Sequence, residues 1–120
     1  MWSYVSAKGS LSQDGECVGT GYSGNGAGLN NPDLENDQGV GPLPRGTYSI
    51  QPFFDDPGDK GPIVADLDPD PTTNVFGRSA FMIHGDNAAM IHSASHGCII
   101  LQRTIRQRIS DSGDTALEVV

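Results

Sequence analysis

The sequence has little of what marks the special classes of protein. It contains two cysteines in 120 residues, Cys17 and Cys98, too few for a disulfide-held scaffold. No apolar run approaches the roughly 18 residues of a membrane-spanning helix, so membrane insertion is not expected. Positive charge is scarce: Lys and Arg total 7 against 15 Asp and Glu, a formal net charge of −8. Nucleic-acid binders draw their affinity from clustered Lys and Arg, so no nucleic-acid partner is expected. The first residues, Met1-Trp2-Ser3-Tyr4-Val5, lack a basic segment followed by an apolar one and do not read as a signal peptide. The expectation is a chain made in the cytoplasm that needs another machine if it is to act outside.

Glycine and proline are abundant. Gly 16 and Pro 8 make up a fifth of the chain, against roughly 12% in average usage. That surplus suits short strands and many turns rather than a helical bundle. The length suits one domain, taken as residues 1–120. Charge is uneven along it. Through residue 75, Lys8, Arg45 and Lys60 face eleven acids, whereas Arg78, Arg103, Arg106 and Arg108 balance the four acids that follow.

Strands are expected at 2–5, at 11–13, at 17–22 after an Asp14-Gly15 hairpin turn, at 47–50, at 63–67 and at 115–120. Asp68-Pro69-Asp70-Pro71 reads as a turn, and residues 55–62 as a loop. Residues 23–39 carry almost no apolar side chains and form a connection of unusual length, which marks a functional or mobile segment. The most apolar stretches, 80–84 and 98–101, are expected as central strands. Ile105 and Ile109, four apart among Arg103, Arg106 and Arg108, predict one short amphipathic helix over 102–110. The fold class is therefore mainly β, a sandwich or barrel with one or two short helices.

The chemistry lies between the two apolar strands. His84 ends the first and Cys98 begins the second, so neighbouring strands would bring imidazole and thiol together. A cysteine nucleophile needs such a partner, because its thiol is only a few per cent ionised at neutral pH. Gly97 allows a tight turn before Cys98, and the successive backbone N–H groups of that turn can form an oxyanion hole. Cys17 has no histidine near it in sequence and reads as a buried structural thiol. The rival reading is a zinc-dependent hydrolase using His84, His92, His96 and Cys98.

His84-Gly85 followed by Ser95-His96-Gly97-Cys98 resembles the signature of the L,D-transpeptidase (YkuD-type) catalytic domain. Gly41-Pro42-Leu43-Pro44-Arg45-Gly46-Thr47-Tyr48 and Gly77–Gly85 extend the likeness. Tyr22-Ser23-Gly24 with Asn30-Asn31-Pro32 resembles the short subgroup of L,D-transpeptidase-like type VI secretion effectors. The gap from His84 to Ser95 is shorter than in the main cell-wall enzymes, and Ile99-Ile100-Leu101-Gln102 replaces the Arg and Asn often found after the cysteine there. Both departures suit the effector subgroup and favour cleavage or exchange over cross-linking.

The resemblance implies a peptidoglycan enzyme that cleaves the bond between the third-position diamino acid and D-Ala of tetrapeptide stems, or exchanges that D-Ala for another D-amino acid. Cys98 would be the nucleophile and His84 the base, its tautomer held by the Gly85 carbonyl. His96, Gly97 and Cys98 would supply oxyanion donors. Arg78 would meet a substrate carboxylate, or else pair with Asp86 or another acid. Ser95 would hold the turn beside the substrate, and Tyr22, Asn30 and Asn31 would line the groove. No cofactor is implied. The implied partners are peptidoglycan stems, a cognate immunity protein and secretion components, with action in the periplasm of a target bacterium. A non-catalytic wall-binding module on the same fold is the other alternative.

Overall fold

The computed structural model describes residues 1–86 and 97–120. Its strands are β1 (Trp2–Val5), β2 (Ser10–Gln13), β3 (Glu16–Thr20), β4 (Tyr22–Ser23), β5 (Gly46–Ile50), β6 (Phe54–Asp56), β7 (Gly61–Pro69), β8 (Met82–His84), β9 (Ile99–Ile100) and β10 (Ala116–Val119). One helix, α1 (Arg103–Ser112), lies between β9 and β10. Nine strands pair in the order β3-β2-β1-β10-β5-β7-β8-β9-β4, with β6 paired to β7 beside that path.

The two ends of this order, β3 and β4, are consecutive in the chain and joined by Gly21 alone. A one-residue link cannot span a flat sheet of nine strands at nearly 5 Å each. The sheet therefore curls until its ends almost meet, and the result is a nearly closed, barrel-like sheet. The mainly β expectation holds, with a single helix among the described residues.

Local chemistry accounts for most of the elements. Asp14 and Gly15 both take positive φ, 49° and 88°, which matches the right-handed twist of the β2–β3 hairpin. The helix ends at Gly113 in the left-handed region, φ 68°, a common C-terminal stop. Three expectations need correction. β7 runs on to Pro69, so the turn begins later than Asp68. Asp55 and Asp56, expected as loop, belong to β6, which pairs with β7. Cys17, expected buried, is exposed, because β3 is a terminal strand of the sheet order and most of it meets solvent.

The main core fills the inside of the curl. Trp2 and Tyr4 of β1, Tyr48 of β5, Ile83 of β8, Ile99 of β9 and Leu117 of β10 are each at most 1% exposed and belong to one cluster. Ile105 and Ile109 of α1 join it. A second, smaller cluster of Tyr22, Cys98 and Ile100, with Leu29 and Met82 against it, lies apart from the first. Among the described residues no helix is long and apolar enough to cross a membrane.

Candidate active site

The two clusters follow from strand alternation. Side chains along a strand point to opposite faces in turn. Ile83 and Ile99 enter the main core, so Met82, His84, Cys98 and Ile100 face the other way. β8 and β9 are neighbours, as expected, but they pair in parallel: Ile83 lies opposite Ile99 and His84 opposite Ile100. Continuing that register sets Cys98 opposite Met82. His84 and Cys98 are thus diagonal neighbours on one face of the sheet, and the Cys98 thiol donates to the Ala80 carbonyl oxygen at 3.9 Å. The parallel sense requires a crossover rather than a tight hairpin; residues 85–98 make that connection, and residues 87–96 of it lie outside the described residues.

His84 is 3% exposed. Its Nδ1 lies 2.8 Å from the Gly85 carbonyl oxygen. A carbonyl can only accept, so this bond puts the proton on Nδ1 and leaves Nε2 as the basic nitrogen. Burial pushes the imidazole below the ordinary histidine range, and the Lys60 and Arg106 charges push the same way, against the Gly85 bond and Asp59. Cys98 is buried too, and burial raises its thiol, offset in part by a backbone bond from Met82 and by the Lys60 and Arg78 charges. Both shifts favour the neutral forms of the thiol and the imidazole. The thiol proton must then move as attack occurs.

The backbone around Cys98 is held from two sides. Ser23 Oγ donates to the Cys98 carbonyl at 2.8 Å and accepts from the Leu43 N–H at 2.8 Å, with no exposure of its own. Arg78 is buried; Nη1 donates to the carbonyls of Glu35 and Pro42, and Nη2 to that of Gly41 at 3.0 Å. Its guanidinium also lies 5.9 Å from the Phe81 ring centre, within cation–π range. Nη2 abuts Gly97, where a Cβ would collide with it, and Gly97 takes a φ of 118°. Arg78 therefore holds the long polar segment at Glu35, Gly41 and Pro42 while abutting Gly97, the residue before Cys98.

The other expected substrate residues have structural bonds in this segment. Tyr22 Oη donates to Asp86 at 2.7 Å. Asn30 accepts from the Ser23 N–H through Oδ1 at 3.1 Å. Asn31 accepts from the Asp33 N–H and donates to the Ala27 carbonyl, capping a short 3-10 turn at Pro32–Leu34. Tyr22 belongs to the Cys98 cluster; Asn30 is tied to the Cys98 backbone through Ser23, while those bonds of Asn31 stay within its own loop. His92, Ser95 and His96 lie outside the described residues. Among the described residues no group of three or more His, Cys, Asp or Glu could hold a metal ion, and the zinc set rests on His92 and His96.

Sequence reasoning missed Ser23 and Arg106. Arg106, expected on the solvent side of α1, is 6% exposed. Its Nη1 donates to the Pro62 and Ile63 carbonyls at 2.6 and 3.0 Å. Nothing in the residue pattern distinguishes Ser23 from its polar neighbours, or Arg106 from Arg103 and Arg108.

These features define a small, mainly β domain with a cysteine and a histidine placed diagonally on the face away from its main core. A family model described as the Tlde1 domain matches residues 18–117, and the chain belongs to this family of type VI secretion effectors. No curated protein matches the chain. Among solved structures, that of Bd1075 from Bdellovibrio bacteriovorus is similar, with a TM-score of 0.60 over 99% of this chain at 15% identity. At that identity the likeness concerns the fold. The chain spans about half of that protein, 47% of its length.

Proposed function

We propose that this domain is a cysteine-dependent peptidoglycan enzyme acting as an antibacterial effector. It cleaves the bond between the diamino acid and D-Ala of tetrapeptide stems, or exchanges that D-Ala for another D-amino acid. The observation that carries this reading is the placement of His84, with Nδ1 against the Gly85 carbonyl, on the same face as Cys98 one pleat away. Membership of the Tlde1 family supports the effector role.

In the proposed reaction the Cys98 sulfur attacks the carbonyl of the third residue while His84 Nε2 takes the thiol proton. A carbon–sulfur bond forms, and the developing oxyanion lies beside the backbone N–H groups of the turn, including those of Gly97 and Cys98. The carbon–nitrogen bond then breaks, His84 returns the proton to the departing D-Ala amine, and a thioester remains on Cys98. Water regenerates the thiol and releases a tripeptide stem. A D-amino acid amine in place of water gives exchange. A cognate immunity protein in the producing cell and components of the secretion machine are the partners this role requires.

The test is mass spectrometry of disaccharide-tetrapeptide incubated with the protein. Loss of one alanine, with a transient acyl adduct on Cys98, is expected. Cys98→Ala and His84→Ala should each lower the rate by at least about 1,000-fold. Full activity in Cys98→Ala would refute the nucleophile assignment. Activity lost to EDTA yet resistant to iodoacetamide would move the reading to the zinc hydrolase. Binding of intact stems without any reaction would move it to the wall-binding module.

A further inference from the structure

The face that carries Cys98 and His84 extends across β8 onto β7. In the β7–β8 pair Asp66 lies opposite Met82, and the β8–β9 register continues to set Met82 opposite Cys98. Asp66, Met82 and Cys98 therefore form one row across three strands. Asp66 shares the face away from the main core, because Ala65 and Leu67 on either side of it enter that core. Asp66 is exposed, and Met82 is half-buried against the Cys98 cluster. Among the described residues no hydrogen bond or ion pair holds the Asp66 carboxylate. Burial is the main cause that raises the Cys98 thiol, and the Asp66 charge adds to it, so this carboxylate is within electrostatic reach of the sulfur.

The row gives the substrate a direction. His84 lies in the next row, opposite Ile100, and in the proposed reaction it hands a proton to the departing amine. The D-Ala that leaves is then on the His84 side of the sulfur. The residue that stays behind as a thioester extends the other way, over Met82 and toward Asp66. That residue is the diamino acid, whose side chain is a run of methylenes ending in an ammonium group. Neighbouring strands stand nearly 5 Å apart, so the Cys98 and Asp66 backbones are separated by about 10 Å. An extended lysine-like side chain reaches about 7 Å from its carbonyl carbon to its amine, and that carbonyl carbon is bonded to the sulfur. The span matches once the length of the aspartate side chain is included. The Met82 thioether, which adapts to irregular apolar partners, lies under the methylenes.

We propose that Asp66 is a specificity residue that receives the side-chain ammonium of the third-position diamino acid, with Met82 as the floor beneath its methylenes. The inference rests on the reaction proposed above and adds its selectivity: the enzyme distinguishes a diamino acid from a neutral residue of the same shape. Asp66 is exposed, and water screens an exposed ion pair, so the amine is expected to raise kcat/KM by about 5-fold, the upper end for such a pair. Asp68, the next residue of β7 on the same face and also exposed, lies one step further along the strand and serves as the control.

The experiment compares two synthetic tetrapeptide stems that end in D-Ala and differ only at the third residue, L-lysine in one and L-norleucine in the other. Wild-type kcat/KM is expected to favour the lysine stem by about 5-fold. Asp66→Asn should bring the two within about 2-fold by slowing the lysine stem alone, and Asp66→Glu should keep part of the preference. Asp68→Asn should leave it intact. The absence of a wild-type preference would overturn the subsite, as would equal slowing of both stems in Asp66→Asn. Equal loss of the preference in Asp68→Asn would also overturn it, because the effect would then belong to the acidic face as a whole. Calorimetric binding of both stems to the Cys98→Ala protein separates the subsite from the reaction. If the wild type cleaves neither stem, a lysine preference in Cys98→Ala that disappears in Cys98→Ala/Asp66→Asn upholds the subsite, and equal binding of the two stems overturns it.

Discussion

The two cysteines lie in the same curled sheet and have opposite surroundings. Cys17 is on β3 at one end of the strand order and is exposed. Cys98 stands immediately before β9, which has β8 on one side and β4 on the other, and is buried. Around Cys98 the chain has placed a serine bridging two backbone groups, a buried arginine behind the preceding glycine, and a histidine one pleat away. Burial makes a thiol harder to ionise, so what marks Cys98 for chemistry is this framework rather than an easily formed thiolate. The framework is also what experiments can take apart.

Among the residues that hold the Cys98 backbone, the largest effect is expected at Gly97. An alanine there would need a left-handed φ of 118° and would drive its Cβ into Arg78 Nη2. The end of an arginine usually yields, but this one is tied to three carbonyls. Backbone strain and overpacking together should cost about 3 kcal/mol, and the proposed oxyanion donors at Gly97 and Cys98 should shift. Gly97→Ala is expected to fold with a clearly lower melting temperature and to lose at least about 100-fold in kcat. Unchanged kcat would mean that the turn does not supply the oxyanion donors. Ser23→Ala should do less. It leaves the Cys98 carbonyl and the Leu43 N–H without their shared hydroxyl, at about 2 kcal/mol, or about 8 °C in Tm for a domain of this size. Thermal melts check this directly, and an undisturbed Tm would mean that the bridge is replaced by water.

The sequence carries some of this framework and hides the rest for physical reasons. The strands bearing His84 and Cys98 are legible because both are apolar runs, and buried neighbours in a sheet need such runs. Their parallel sense is not legible: the connecting segment is long enough for either topology, and the residue pattern of a strand does not encode direction. Cys17 misleads because Cys17-Val18-Gly19 reads the same on a central strand as on a terminal one, and exposure depends on the sheet order. Arg106 misleads because a helix with charges on several sides offers no local sign of which charge will be buried. Arg78, by contrast, lies in the Gly77–Gly85 stretch that carries the family likeness, and is expected there to meet a carboxylate. The carbonyls of Glu35, Gly41 and Pro42 that it holds come from about 40 residues away and could not be read locally.

The smallest effect on function should come from Cys17, and it gives the sharpest contrast. Cys17→Ser replaces an exposed side chain and should change stability by less than about 0.5 kcal/mol, with activity unaltered. Iodoacetamide, however, should modify Cys17 first, because access is open there and closed at Cys98. The first equivalent is therefore expected to label the wild-type protein without inactivating it. In Cys17→Ser, labelling should be slow, should quicken as pH rises and the buried Cys98 thiol ionises, and should track the loss of activity one for one. Peptide mapping after timed alkylation, read beside the residual rate, measures both. Inactivation by the first equivalent in the wild type would mean that Cys98 is the more reactive thiol despite its burial, and that the charges of Lys60 and Arg78 outweigh desolvation at the sulfur.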